Sequence, residues 1–410
     1  MKNRTFLGKI AALGLAICIL LWLGLINGHN SVYAAPKKVI PVGYLSGISG
    51  AQARICNLNR HGAEQAVAYV NQKQLLGKGI SIKLLVADSQ VNATVGLNSY
   101  QGFKDKVLTF VAYDTSGASA LRPFVEQDKK PFVALTTNRT FVYPTSKFIF
   151  GLAPPYEELL VGFLKGVKSS WKKNRAPKIG LISFETPSGR FPISAAKKFG
   201  PGLGWEIGPI SIVPLTSVDF SGAIARIKDE KPDWVLLSLT GGQIKNLLKQ
   251  AKVAGVKDMT KWLMPLWGGF NESMTTVIPQ AQLNGTYGFC LASNPDVHEG
   301  AKEWAAWTKS NSGQACEEAG NSGAAGVFIV TRALQLAMEK VSVDDLDGPK
   351  LSQYGYQRIR NFQMFGDLFP AINYGPNNTR GSTQASVLRM VNGKAEKAIP
   401  WFEVPSLEGK

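Results

Sequence analysis

The 410-residue chain is 45% hydrophobic and 18% charged, too apolar for an intrinsically disordered chain and long enough for two domains of ordinary size. Its formal net charge is +17, with lysines and arginines spread along the whole length. The densest cluster, Lys165 to Lys178 in "LKGVKSSWKKNRAPK", sits at a helix end, where cations suit the macrodipole. No helix-turn-helix, zinc-finger or RNA-binding motif accompanies it. The charge therefore reads as attraction to an anionic surface or solute, and nucleic acid is not expected as a partner.

In chain order, Lys2, Arg4 and Lys9 precede an apolar run, "IAALGLAICILLWLGLI" (10–26), and a small-residue stretch, "SVYAA" (31–35). This is the layout of a secretory signal peptide cleaved after residue 34; the competing reading is a permanent membrane anchor. Removing residues 1–34 takes away those three cations and leaves +14. Cys18 has Ile17 before it and an apolar run beyond it, which does not suit lipid attachment. An exported chain meets an oxidising compartment. Of Cys56, Cys290 and Cys316, the expected disulfide is Cys290–Cys316, leaving Cys56 free. The three histidines, His29, His61 and His298, lie far apart, so neither a metal site nor a cofactor is expected.

From residue 38 apolar strands alternate with amphipathic helices. Strands are expected at 38–47, 81–89, 107–116 and 131–138, with helices at 61–76, 91–105 and 118–129. Crossovers of this length give parallel strands with helices on both faces. Pro154-Pro155 break the pattern as a linker, and the rhythm restarts at 178–189, 206–220, 233–242 and 261–270. A crossing segment (284–295), two helices, a turn-rich stretch (373–382) and one final strand, "ASVLRMVNGKAEKAIPWF", complete the chain. The fold class is α/β, two Rossmann-like lobes with parallel sheets.

Several of these strands empty into small hydroxyl residues and glycine. Thr115-Ser116 follow "FVAYD" and Thr136 and Asn138 follow "PFVAL"; in the second unit Ser188, Thr240 and Trp267 occupy equivalent places. Open parallel sheets bind ligands beyond their carboxyl ends, so the two sets can wall one cleft. The alternative for Thr115 and Ser116 is N-capping of the following helix, and for Trp267 ordinary lobe packing.

The chain resembles the solute-binding proteins of ABC importers, of the branched-chain amino-acid-binding type, over nearly all of its length after the leader. The resemblance rests on "GAEQAVAYVNQ", "IKLLVADS", the loops "DTSGAS" and "LTTN", "LLKQAKVAG" and "YGPNNTRGS…VNGK" in that order. It implies a type I periplasmic binding fold with three crossovers: 38–153 plus 288–381 as one lobe, 154–287 plus 382–410 as the other. It further implies that Thr115 and Ser116 hold a ligand carboxylate through hydroxyls and backbone N–H groups, and that Thr136 and Asn138 meet an amino group. The sequence departs from such binders in placing Trp267 where an acidic residue would face a ligand ammonium, and Ser188 where an aromatic is usual. Arg54 and Cys56 are expected near the cleft mouth. An ammonium without a counter-charge is costly, so an acid or amide with a flat or apolar body stacked on Trp267 fits better than an α-amino acid.

The expected function is an exported, periplasmic, monomeric receptor that binds a small carboxylate, amide or amino-acid-like solute in the interlobe cleft by hinge closure and passes it to an ABC permease in the inner membrane. The alternative is a ligand-sensing ectodomain or a partner of a signalling receptor. GxSxG, HExxH, Walker A and GxGxxG after a strand are all missing, and "GPGLG" (200–204) follows a helix, so no enzyme is expected.

Overall fold

A computed structural model describes residues 38–410 apart from 137, 257, 259 and 260; the leader read at 1–34 lies outside the described residues. Five strands form the first sheet: β1 (Lys38–Ser46), β2 (Ile80–Asp88), β3 (Thr109–Tyr113), β4 (Phe132–Ala134) and β5 (Ile149–Gly151). Their order is β2-β1-β3-β4-β5 and every pairing is parallel. Alternate residues feed opposite faces. Val111, Tyr113 and Val133 join one core, while Phe110, Ala112 and Phe132 join the other. Burial on both faces is why these strands read as unbroken apolar runs.

The second sheet contains β6 (Lys178–Phe184), β7 (Glu206–Val213), β8 (Trp234–Ser238), β9 (Trp262–Leu263), β10 (Tyr287–Cys290), β13 (Gln384–Val391) and β14 (Lys394–Glu403). β6 to β10 run parallel in the order β10-β9-β8-β6-β7; β13 and β14 add two antiparallel strands outside β10. This sheet is therefore mixed, whereas parallel sheets were expected. The single final strand of the sequence reading is a hairpin. It turns at Asn392-Gly393, both at positive φ (49° and 82°), the backbone that an Asn-Gly pair adopts in a two-residue turn. The segment read as a crossing at 284–295 holds β10, so residues 288–290, expected in the first lobe, pair in the second sheet. A small hairpin, β11 (Asn373–Gly375) with β12 (Asn378–Gly381), occupies the turn-rich stretch.

The helix after β1 spans Ala53–Gln72, starting eight residues before its expected position. It packs against the 21-residue helix Glu318–Met338. Backbones touch there: a Cβ on Gly62 would lie 1.8 Å from the Gly320 carbonyl oxygen, and one on Gly323 1.9 Å from that of Asn59. Asn59, fully buried, ties the pair together by accepting from the Tyr44 hydroxyl and donating to the Ala319 carbonyl at 2.9 Å.

The lobes are joined after β5, after β10 and between β12 and β13. Beside these connections Glu158, buried in helix Tyr156–Ser169, receives Arg380 Nη2 at 2.5 Å, the Tyr143 hydroxyl at 3.0 Å and the Leu407 N–H at 2.8 Å. Cys56, Cys290 and Cys316 are buried free thiols, so the expected Cys290–Cys316 disulfide is not formed. The two belong to different cores, Cys316 to the first lobe and Cys290 to the second. Among the described residues no helix is long and apolar enough to cross a membrane, and no group of three or more His, Cys, Asp or Glu is placed to hold a metal ion.

Candidate functional site

The carboxyl ends of both sheets open onto one cavity of about 260 Å³. Thr115, Ser116 and Thr136 line it from the first lobe, and Ser188, Thr240 and Trp267 from the second. Asn138 does not. It is fully buried and spends its side chain locally, accepting from the N–H of Thr140 at 2.8 Å and from the Thr140 hydroxyl, and donating to Ser119 Oγ at 3.3 Å. Asparagine favours this capping geometry at the start of a short helix, here Arg139–Val142.

The stretch after β3, read as a loop, is a helical turn, Thr115–Ser119, capped by Asp114 and not by Thr115 or Ser116. Asp114 accepts the N–H groups of Ser116 at 2.9 Å and Gly117 at 3.0 Å, and the Ser89 hydroxyl. Of the backbone donors expected to face a ligand carboxylate, that of Ser116 is thereby committed to Asp114. Burial pushes the Asp114 carboxyl up, against the pull of these donors. Thr115 is left to project its hydroxyl, which donates to Thr136 Oγ1 at 3.0 Å. Tyr156, at the start of its helix, adds an aromatic wall beside them; burial drives its phenol well above the ordinary value, with the Thr115 and Thr136 hydroxyls pulling the other way.

On the opposite wall, Ser188 sits in the first turn of helix Pro187–Phe199 and Thr240 precedes helix Gly241–Val253. Gln243 Oε1 accepts from the Thr240 N–H at 3.1 Å. Gly241 and Gly242 line the cavity, so this helix directs its positive end at whatever occupies it. Trp267 faces the cavity and also packs on the cores of both lobes, so its two readings coexist. Its ring stands 5.4 Å from Phe184 and 6.4 Å from Tyr156.

Sequence reasoning passed over the aromatic lining, Tyr113, Tyr156 and Phe184, and the segment after Phe270 that adds Ser273, Met274 and Val277. Tyr113 and Phe184 each end a strand, and Tyr156 follows the Pro154-Pro155 break; those positions were the available signal. Arg54 lines the mouth as expected, and its guanidinium donates across the cleft to Thr276 Oγ1 at 2.5 Å. Among the described residues it forms no ion pair. Cys56, expected beside it, is buried in the first-lobe core and does not line the cavity.

Among the described residues the lining holds one cation, Arg54, and one carboxylate, Asp114, whose oxygens accept from Ser116, Gly117 and Ser89. Glu272, nearby in sequence to Trp267, turns away to accept the N–H groups of Glu317 at 2.8 Å, Ala319 at 2.8 Å and Gly320 at 3.3 Å. It thus caps the helix Glu318–Met338 of the other lobe.

Two lobes of α/β topology enclose, between their strand ends, a cleft walled by aromatic and hydroxyl side chains, the architecture of a two-lobed binding protein. A family model described as periplasmic binding protein matches residues 39–395, and the chain belongs to that family. Among solved structures it is similar to a fatty acid ABC transporter substrate-binding protein from Thermomonospora curvata (18% identity, TM-score 0.77, covering 90% of this chain and 95% of that one). It is also similar to a branched chain amino acid ABC transporter from Thermus thermophilus with bound valine (16%, TM-score 0.79, 90% and 97%) and to a leucine binding protein from Thermotoga maritima (16%, TM-score 0.71, 89% and 99%). These likenesses establish the fold, that of type I periplasmic binding proteins. No curated protein matches the chain.

Proposed function

We propose that this protein is the exported, monomeric solute receptor of an ABC importer. It binds a small acid or amide with an apolar or flat body between its lobes, closes by hinge motion and delivers the solute to a permease, without catalysing a reaction. The lobes we assign are 38–153 plus 291–381 and 154–290 plus 382–410. The observation that carries the choice of solute is the lining. It offers hydroxyls, a helix N-terminus and Arg54 to an anion or an amide oxygen, but no uncommitted carboxylate to an ammonium. Thr115, Ser116 and Thr136 would hold the polar end, Ser188 and Thr240 would close on it from the other lobe, and Trp267 would stack on the body. The proteins it resembles include binders described for fatty acids as well as for valine and leucine, so the scaffold is compatible with a simple acid.

Thermal unfolding of the purified protein with 4-methylpentanoate, 3-phenylpropanoate, their amides, L-leucine and L-phenylalanine tests the reading. A bound ligand raises stability by RT ln(1 + [L]/Kd). Stabilisation by an acid or amide and not by its amino-acid counterpart is expected. Stabilisation by L-leucine or L-phenylalanine alone would overturn the choice of solute, and silence across broader acid and amide sets would overturn the reading.

A further inference from the structure

One face of the second lobe combines exposed apolar side chains with cations. Between helices Ser221–Glu230 and Gly241–Val253 runs a surface groove lined by Val218, Ile224, Ala225 and Val253, with Lys228 and Lys249 on its rim and, among the described residues, no acidic side chain in its lining. Val218 is 70% exposed and Val253 84%, the highest values among the exposed large hydrophobic residues described. A second depression shares Lys228 with this groove and continues past Lys231 to Lys173 and Lys261. There the half-buried Trp171 has Lys173 Nζ 5.2 Å, the Arg175 guanidinium 5.6 Å and Lys261 Nζ 5.8 Å from its ring centroid. Asp233, held down to about 2 with Arg175 and Lys173 among its partners, is ionised, and Asp258 also lines this depression; the two acids are outnumbered by Lys173, Lys228, Lys231 and Lys261.

A single exposed valine needs no explanation. Two in one groove, ringed by lysines and continuous with a cation-flanked tryptophan, match what a membrane surface rewards. Lysines meet headgroup phosphates, and short apolar side chains and an indole settle at the boundary with the acyl chains. We propose that this face docks on a bilayer surface rich in anionic phospholipid. A soluble polyanion would engage the lysines but gain nothing from Val218 and Val253. The second depression lies at the amino-terminal edges of β8 and β9, and no residue of either depression lines the cleft, so a docked molecule keeps its cleft residues free.

The test is co-sedimentation of the processed chain lacking residues 1–34 with vesicles. Binding is expected to phosphatidylcholine vesicles containing a quarter phosphatidylglycerol, with none to pure phosphatidylcholine and loss in high salt. Lys228→Glu with Lys249→Glu and Lys261→Glu should weaken it more than about 100-fold, given the contribution of each cation near such a surface. Val218→Ser with Val253→Ser, both at exposed positions and neutral, should weaken it about 10-fold and leave retention on immobilised heparin unchanged. Failure of the parent chain to bind the anionic vesicles would overturn the proposal. So would full binding by the valine variant, which would assign the face to a polyanion. Solute-induced stabilisation measured on the same variants is expected to be unaltered.

Discussion

At the residue scale, buried charge at the lobe junction is the most exposed to mutation. Arg380, its side chain 12% exposed, balances the fully buried Glu158. Removing one partner of a buried pair strands the other. Glu158→Gln should lower the unfolding free energy by about 3 kcal/mol in urea titrations; a loss below about 1 kcal/mol would show that the junction relaxes around the guanidinium. The neighbouring Glu157 behaves differently. Burial raises its carboxyl from the ordinary 4.5 to about 7. Below 4.5 the folded and unfolded chains are both protonated there. As pH climbs from 4.5 to about 7 the unfolded chain ionises first, so this group's contribution to stability falls, by an amount on the order of 3 kcal/mol. Glu157→Gln should therefore match the parent at pH 4 and exceed it at pH 8 in thermal unfolding, and equal differences at both pH values would refute the shift. Residue-scale legibility was uneven. Thr115, Thr136 and Trp267 were readable because strand ends in parallel sheets converge. Asn138 was misread because a small polar residue satisfied by its own helix start looks, in sequence, like one that reaches a ligand.

At the element scale, the packing of Ala53–Gln72 on Glu318–Met338 anchors the first lobe. Alanine is ordinarily the better helix former. At Gly62 a methyl would meet the Gly320 carbonyl, so Gly62→Ala should cost about 2 kcal/mol or more. At Gly102, in helix Ala93–Phe103, a methyl meets nothing within 4 Å, and Gly102→Ala should stabilise by about 0.5–1 kcal/mol. Chemical denaturation of both variants checks the pair; opposite signs are expected, and a stabilising Gly62→Ala would contradict the close crossing. Strand positions were legible from apolar runs, whereas boundaries were not. The helix from Ala53 begins without a side-chain cap at Gln52, and its first two turns are polar enough to pass for loop. The Asn392-Gly393 pair marks the turn in the sequence, but Lys394-Ala395-Glu396-Lys397 beyond it are weak strand formers and give little sign of a second strand.

At the scale of the whole molecule, the two walls of the cleft belong to different sheets and different cores, and neither can enclose a ligand alone. Helix Thr115–Ser119 already meets helix Pro187–Phe199 across the gap, and Arg54 reaches Thr276, so the lobes stand close together. A ligand that bridges them would shift the molecule further toward this arrangement. The thiols that a disulfide reading paired in sequence lie in separate lobes, a distance that only the chain's path between sheets decides.

Calorimetric titration of 4-methylpentanoate and 3-phenylpropanoate into the parent chain, Thr115→Ala, and Ser188→Ala with Thr240→Ala addresses the shared cleft directly. At least one acid should bind the parent, and substitutions on either wall should each weaken it about 10-fold or more, as loss of hydrogen bonds to a charged group implies. Undiminished affinity after changing either wall would place the ligand elsewhere and contradict a site built by both lobes.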